Sequence, residues 1–455
     1  MKSFADTTTP KLNALKLNTR RYLLSIIAVS VLIRLVAAVY LGNEVVSLPG
    51  IDDQRSYQML ALQVMGGHGF TVPTGWWPLT QAGAPTAHWS YLYTLYLIVV
   101  YSLFGITPVL ARIIQVVIGG ILWPLLTYRV ALRVMGEDRS PAMPWVALIA
   151  AAWSALYAYF VYYSAALLTE PFYVTSVLWT FDLALDIASA NAPSSKNQTK
   201  KWLLLGLAIG IAVLLRQLFL AFVPFLFVWM AWAMRTQTGS AKQTPLLPVI
   251  RGAVLAGLVV VALILPWTIL NYQNFHKFVL LNTNAGYAFF WANHPIYGTH
   301  FVDILPNDMY GKLVPDSLRS LDEASLSSAL FQLSLRQIAD DPVRYVLLSL
   351  SRFQTYFMFW PTAGSGLLSN LTRVASFGLA LPFILYGFLL SFRSWRKWSL
   401  LYVFIGVYSA IHLLSWAIVR YRLPMDALLL VFAAHGFTQL VARLRRHQQI
   451  TIQVA

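Results

Sequence analysis

Cysteine is absent from all 455 positions. That excludes disulfides, thiolate nucleophiles and cysteine-ligated zinc. Charge is scarce too: 11% of residues are Asp, Glu, Lys or Arg, with 17 acidic against 33 basic. What remains is 58% hydrophobic, with a mean hydropathy of +0.62. A water-soluble domain cannot hide that much apolar surface, whereas a bilayer can, and several runs reach the roughly 20 apolar residues that cross a hydrocarbon core. The expected class is an all-α polytopic membrane protein. A net charge of +16 would suggest nucleic acid in a soluble chain. Here the lysines and arginines lie in short loops between apolar runs, where they set orientation, so no nucleic-acid partner is expected. Glycine-rich phosphate loops, short-period repeats and long low-complexity runs are also missing.

The first apolar run, Tyr22 to Leu41, is too long for a signal-peptide core and contains Arg34, so it reads as an uncleaved anchor. Lys2, Lys11, Lys16, Arg20 and Arg21 precede it and predict a cytoplasmic N-terminus. Later basic loops should share that side: Arg129 to Arg139, Lys196 to Lys201, Arg235 to Arg251, Arg393 to Lys397 and Arg443 to Arg446. They do so only if two apolar segments fail to cross. Trp89 to Phe104 is short and tyrosine-rich, and Val343 to Trp360 carries Arg344 and Arg352. Both suit a membrane surface better than a lipid core.

About ten spans result, near Tyr22–Leu41, Val109–Val134, Pro144–Tyr163, Pro171–Ala188, Trp202–Leu215, Leu218–Met234, Ala253–Leu270, Val374–Leu390, Leu400–Ala417 and Met425–Val441. They form one module over residues 1–441, with a basic cytoplasmic tail at 442–455 and two large external segments, 42–108 and 271–373. The cytoplasmic loops are too short for a nucleotide-binding domain.

Under this topology several groups meet on the outer face. Asp52 and Asp53 follow the first span. Glu170 starts another after YYSAALL, Arg216 lies in LLRQLF at the outer turn, and Asn293 and His294 lie in the exit to the second external segment. Arg420, Tyr421 and Arg422 sit in VRYRLP. A carboxylate at a lipid boundary is desolvated, which makes it a better base, and arginines with a tyrosine hold phosphate bidentately. That pairing suits hydroxyl attack on a carbon whose leaving group is phosphate. Each residue also has a plainer reading. Asp52 and Asp53 suit a helix start, and Glu170 before Pro171 suits a first turn. Arg216 suits snorkelling to headgroups. His68, His88 and His294 lack metal-ligand spacing.

These stretches resemble the C-type (GT-C fold) membrane glycosyltransferases. The likeness is to the branch holding the aminoarabinose lipid A transferases, the protein O-mannosyltransferases and the RgtA/B/C/D-like enzymes. Asp53 with Tyr57, in DQRSYQMLALQVMGGHGF, is similar to the family's first-loop acidic motif, which carries its catalytic acid. TEPFYV places Glu170 as the second carboxylate. GLAIGIAVLLRQ resembles the helix ending in a basic residue near the carrier phosphate, and RYRLP a late arginine motif. Two departures stand out. Many relatives have Asp-Glu where this chain has Asp53-Gln54, with Asp52 on the other side, so the base lies between Asp52 and Asp53. APTAHWSYLY replaces a Pro-Pro pair, putting His88 where it would orient the carrier phosphate.

The resemblance implies inverting transfer of a sugar from a polyprenyl-phosphate donor to a hydroxyl acceptor on lipid A, a glycan, a protein or a lipid. The site would face outside the cytoplasm, in a bacterial inner membrane. Asp53 would act as base, and Glu170 would position the acceptor, the base or a divalent ion held through Asp53 and Glu170. Arg216, Arg420, Tyr421 and Arg422 would receive the leaving phosphate. The alternative class is a transporter or flippase of a lipid-linked glycan, which would need ionisable groups in mid-membrane.

Overall fold

The computed structural model describes residues 9–136, 143–189, 195–237, 246–302, 305, 307–362 and 365–454. Among these, helices are joined by short loops, and extended pairing is limited to three isolated bridges. A long first helix, α1 (Thr9–Leu41), leads into α2 (Asp53–Met65) and α3 (Tyr91–Phe104). Then come α4 (Pro108–Met135), α5 (Met143–Leu156), α6 (Ala158–Ala165), α7 (Glu170–Ala188), α8 (Ser195–Leu215), α9 (Val223–Gln237) and α10 (Leu246–Phe275). The second polar segment holds α11 (Asn284–Asn293), α12 (Asn307–Lys312), α13 (Glu323–Asp340), α14 (Pro342–Tyr356) and α15 (Leu367–Arg373). The chain closes with α16 (Leu379–Ser391), α17 (Trp395–Leu414) and α18 (Leu423–Val454).

Local chemistry accounts for the ends. Ser90 caps α3 by accepting from the Tyr93 amide, and Gly105 ends it at φ 77°. Pro108 opens α4 where an N–H would go unused. Asp322 and Asp341 accept from the amides of Ser325 and Arg344, 2.9 Å each, to start α13 and α14.

Among the described residues, seven helical stretches are long and apolar enough to cross a membrane, and the bent pair Met143–Leu156 plus Ala158–Ala165 makes an eighth. The chain is an integral membrane protein. Two differences from the ten expected spans have physical causes. Helix α7 falls outside that set; it carries Glu170, Asp182 and Asp186 within 19 residues. Leu367–Leu414 forms one 48-residue stretch by length, but it folds back at Phe392–Ser394. The rings of Phe388 and Tyr402 are 5.2 Å apart, and the Tyr402 hydroxyl meets Ser391. On a straight helix those residues would stand about 21 Å apart. The segments read as surface helices, now α3 and α14, are absent from the spanning set.

The bundle is tightly knit. Helix α16 packs along α18, where a Cβ on Gly387 would lie 1.9 Å from the Phe432 carbonyl oxygen, so only glycine permits that approach. At the 50° bend after α5, the buried Arg34 guanidinium of α1 donates to the Ala155 and Ser154 carbonyls at 2.8 and 3.1 Å. It thereby satisfies acceptors that the broken helix would orphan.

The two ends of the bundle differ. At one, Arg129 and Arg133 pair with Asp182 at 2.7 and 2.5 Å, and Arg133 and Lys201 pair with Asp186 at 2.6 and 2.7 Å. Lys397 donates to the Met135 carbonyl, and Trp395 stacks on Trp232. The ends of α4 and α9 and the start of α17 therefore share one end. The other end of α7 is Glu170.

Candidate functional site

Two buried polar residues of α4 build the far end. Arg112 donates to the carbonyls of Gly42, Glu44 and Ala165, at 3.2, 2.8 and 2.9 Å, and to Gln54 Oε1 at 3.3 Å. Gln115 donates to the carbonyls of Ser164 and Ala166 and accepts from the Tyr93 hydroxyl at 2.8 Å. Together they fix the exit of α1, the start of α2 and the approach to α7. Gln54 also donates to the Val46 carbonyl, so the residue that departs from Asp-Glu is a structural tie.

On that frame the carboxylates of Asp53 and Glu170 converge on two guanidiniums. Arg420 Nη2 lies 2.5 Å from Asp53 Oδ2. Arg420 Nε lies 3.1 Å from Glu170 Oε1, within ion-pair reach but off the hydrogen-bond axis, so its N–H has no acceptor. Arg216 Nη2 donates to the same Glu170 Oε1, and its Nε meets Thr169 Oγ1 at 3.4 Å. The Tyr421 ring lies beneath both cations, 4.9 Å from the Arg216 guanidinium carbon and 5.5 Å from that of Arg420. Two acids and two arginines balance.

Exposure separates the acids. The Glu170 side chain is 2% exposed and that of Asp53 28%. Glu170 is enclosed with the guanidiniums, and Asp53 is the more accessible acid. Tyr57, one turn after Asp53, packs on Trp89 and Tyr93 at 5.8 and 4.8 Å between centroids. Burial, with Asp53 nearby, raises its phenol above the ordinary value, so it stays a donor. His88 meets Trp89 edge-to-face at 4.8 Å between ring centroids. Burial pushes its imidazole down to about 4, so it is neutral at physiological pH.

Other sequence candidates lie apart from this cluster. Asp52 is exposed at the α2 N-cap and makes no capping bond with its side chain. Arg422 is fully buried, donating to Asp426 at 2.8 Å and the Tyr356 carbonyl at 2.6 Å, over the Phe377 ring. Asn293 is buried and accepts from Arg352 at 2.6 Å. His294 accepts from the Ile296 amide at 3.2 Å. Conversely, Thr169, Arg112 and Gln115 escaped the sequence reading. The last two were visible as polar residues inside an apolar helix, which always need a reason.

Asp53 Oδ2 and Glu170 Oε1 each face a guanidinium in this arrangement, whereas a hard cation takes six or more oxygens. Among the described residues no three His, Asp or Glu side chains group as a metal site.

No protein-family model matches the chain, and no curated protein does. Solved structures do. Archaeal oligosaccharyltransferase AglB from Archaeoglobus fulgidus, in complex with an inhibitory peptide and a dolichol-phosphate, superposes with a TM-score of 0.59. The identity is 17%, over 95% of this chain and 52% of that one. Its apo form gives 0.58 at 16%, with coverage of 95% and 52%. This chain thus spans about half the length of the oligosaccharyltransferase it matches. ArnT from Cupriavidus metallidurans, bound to undecaprenyl phosphate, gives 0.39 at 13%, over 92% and 77%; that score carries no argument.

Proposed function

We propose, from a chain that has the GT-C fold of membrane glycosyltransferases, that it transfers a sugar from a polyprenyl-phosphate donor to a hydroxyl acceptor. The observation that carries this is the cluster of a reachable carboxylate and two guanidiniums anchored by a buried one. The AglB structure holding a dolichol-phosphate supports a lipid-phosphate partner. Positive-inside statistics applied to the basic end support an extracytoplasmic site, and the reading takes the membrane to be a bacterial inner membrane.

Asp53 accepts the acceptor's proton as its oxygen bonds to the anomeric carbon. The carbon–phosphate oxygen bond breaks, and the electron pair leaves with the polyprenyl phosphate. Arg216 and Arg420 face that developing charge, where fixed donors in a dry site are worth most. Arg420 links the two events: an arriving phosphate draws it from Asp53 and frees the base. Its Nε–H, without an acceptor now, is ready for that anion. One displacement inverts the anomeric centre. Tyr421 holds both cations from below. Which sugar and which acceptor are taken is left to experiment.

The test is reconstitution in proteoliposomes with a panel of undecaprenyl-phosphate sugars, following carrier release and the anomeric configuration of the product by NMR. Release with inversion supports transfer. Carrier crossing the bilayer uncleaved would instead establish a flippase.

A further inference from the structure

Glu323 is 5% exposed, yet it sits in the second external segment, far in sequence from the cluster. Its carboxylate accepts from Thr80 Oγ1 at 2.5 Å, the Ala87 amide at 2.9 Å and Thr283 Oγ1 at 2.7 Å. Its backbone carbonyl accepts from the Tyr287 hydroxyl at 2.9 Å. The Thr283 amide adds a bond to the Ala87 carbonyl at 3.1 Å. One buried acid thus joins the loop before α3 to α11 and α13, two segments that sequence reasoning treated separately. Burial raises its pKa and these donors oppose the rise. Such a group is costly to bury unless its bonds are made.

What this clasp holds in place is His88, the residue after Ala87. Its ring is wedged between Trp89 and Tyr287, at 4.8 and 5.6 Å. The residue is 5% exposed, and its Nδ1 is buried with no hydrogen-bond partner. The neighbouring Trp89 Nε1 is bare as well, and buried polar atoms left without partners ask for a ligand. Trp89 packs on Tyr57, one turn from Asp53 on α2, so the imidazole lies on the acid's side of the site. Asp53 is the charged group that acts on it, opposing the effect of burial.

We infer that His88 hydrogen-bonds a hydroxyl of the acceptor beside Asp53, and that Glu323 is the positioning residue that holds it there. The inference rests on the proposed transfer and deepens it. It moves His88 from the phosphate, where the family resemblance put it, to the hydroxyl-bearing partner. It also makes the second external segment part of the acceptor site.

The experiment uses the full-length protein in proteoliposomes, with an undecaprenyl-phosphate sugar that it cleaves and octyl β-glucoside as the hydroxyl acceptor. Wild type, His88→Ala, Glu323→Gln and the double variant are compared, each first shown monodisperse. Expected are a roughly ten-fold or larger rise in acceptor KM for each single variant, donor KM within about two-fold, and a double variant no worse than His88→Ala. Amide exchange should quicken at residues 80–90 in Glu323→Gln and stay unchanged in α18. A shift in donor KM, additive losses, or unaltered exchange at 80–90 would overturn the inference. If wild type cleaves no lipid-phosphate sugar, the transfer reading itself fails, and the His88 contact with it. If Glu323→Gln does not fold, Glu323→Asp, which keeps the carboxylate, must restore folding and an acceptor KM within about three-fold of wild type; failure to do so counts against the inference.

Discussion

Arg420 and Arg422 are two residues apart in VRYRLP, with the same charge and nearly the same burial, yet they belong to different systems. Arg420 reaches out to Asp53 and Glu170, and its Nε, like Nη2 of Arg422, has no hydrogen-bond partner. Arg422 turns inward to Asp426, whose other oxygen accepts from the Tyr157 hydroxyl at 2.8 Å, and its guanidinium lies 3.6 Å from the Phe377 ring centroid. The first pair is partly open and can exchange partners. The second is sealed among α6, α14 and α18. A buried ion pair is therefore not a functional sign in itself; what distinguishes a site is a charge whose partners can be replaced by a ligand.

Substitution separates the two. Arg420→Gln should lower carrier release by about 10²–10³-fold while thermal stability stays near wild type. Arg422→Gln should do the reverse, costing about 3–5 kcal/mol by stranding Asp426; fluorescence-detected melting of purified protein checks both. If both variants lost only activity, the comparison would be broken. The double change Arg422→Met with Asp426→Leu sharpens it. Removing both charges should recover about half or more of the lost stability, leaving release near wild type. No such rescue is available for Arg420, whose partners are the chemistry.

Tyr421→Ala should weaken binding of undecaprenyl phosphate by about three- to ten-fold, as about 1 kcal/mol of cation–π support is withdrawn, read by native mass spectrometry. A further prediction concerns pH. The His88 imidazole is held down to about 4 in the folded protein, against an ordinary 6.5. Between those values the unfolded chain binds more protons than the folded one, so stability falls as pH drops from 6.5 toward 4. At pH 5 the loss is about 2 kcal/mol, and His88→Asn should melt with that much less pH dependence over this window.

Much of this was legible because charge has a side. Counting basic loops removed α3 and α14 from the spanning set and sent Asp53, Glu170, Arg216 and Arg420 to one end. The structure brings the ends of α4 and α9 and the start of α17 together at the opposite end. What stayed illegible is direction within a turn. Residues 419–422 form a 3-10 turn, so positions two apart point about 240° apart, and composition cannot say which arginine faces the acids. Asn293 and His294 were credible from their neighbourhood. Nothing in their motif announces that Arg352, fifty-nine residues on, claims Asn293. The Glu323 clasp is also a matter of long-range pairing, with no local pattern to betray it. Asp52 and Asp53 were inseparable by sequence; a helix start with one acid outward and the next inward separates them.

That adjacent pair offers the most direct test of the central claim. Carrier release should be measured with matched amounts of folded Asp52→Asn and Asp53→Asn in proteoliposomes. Asp53→Asn is expected to reduce release by about 10³-fold or more, with Asp52→Asn within about two-fold of wild type. Equal losses, or undiminished release without a carboxylate at 53, would contradict the account.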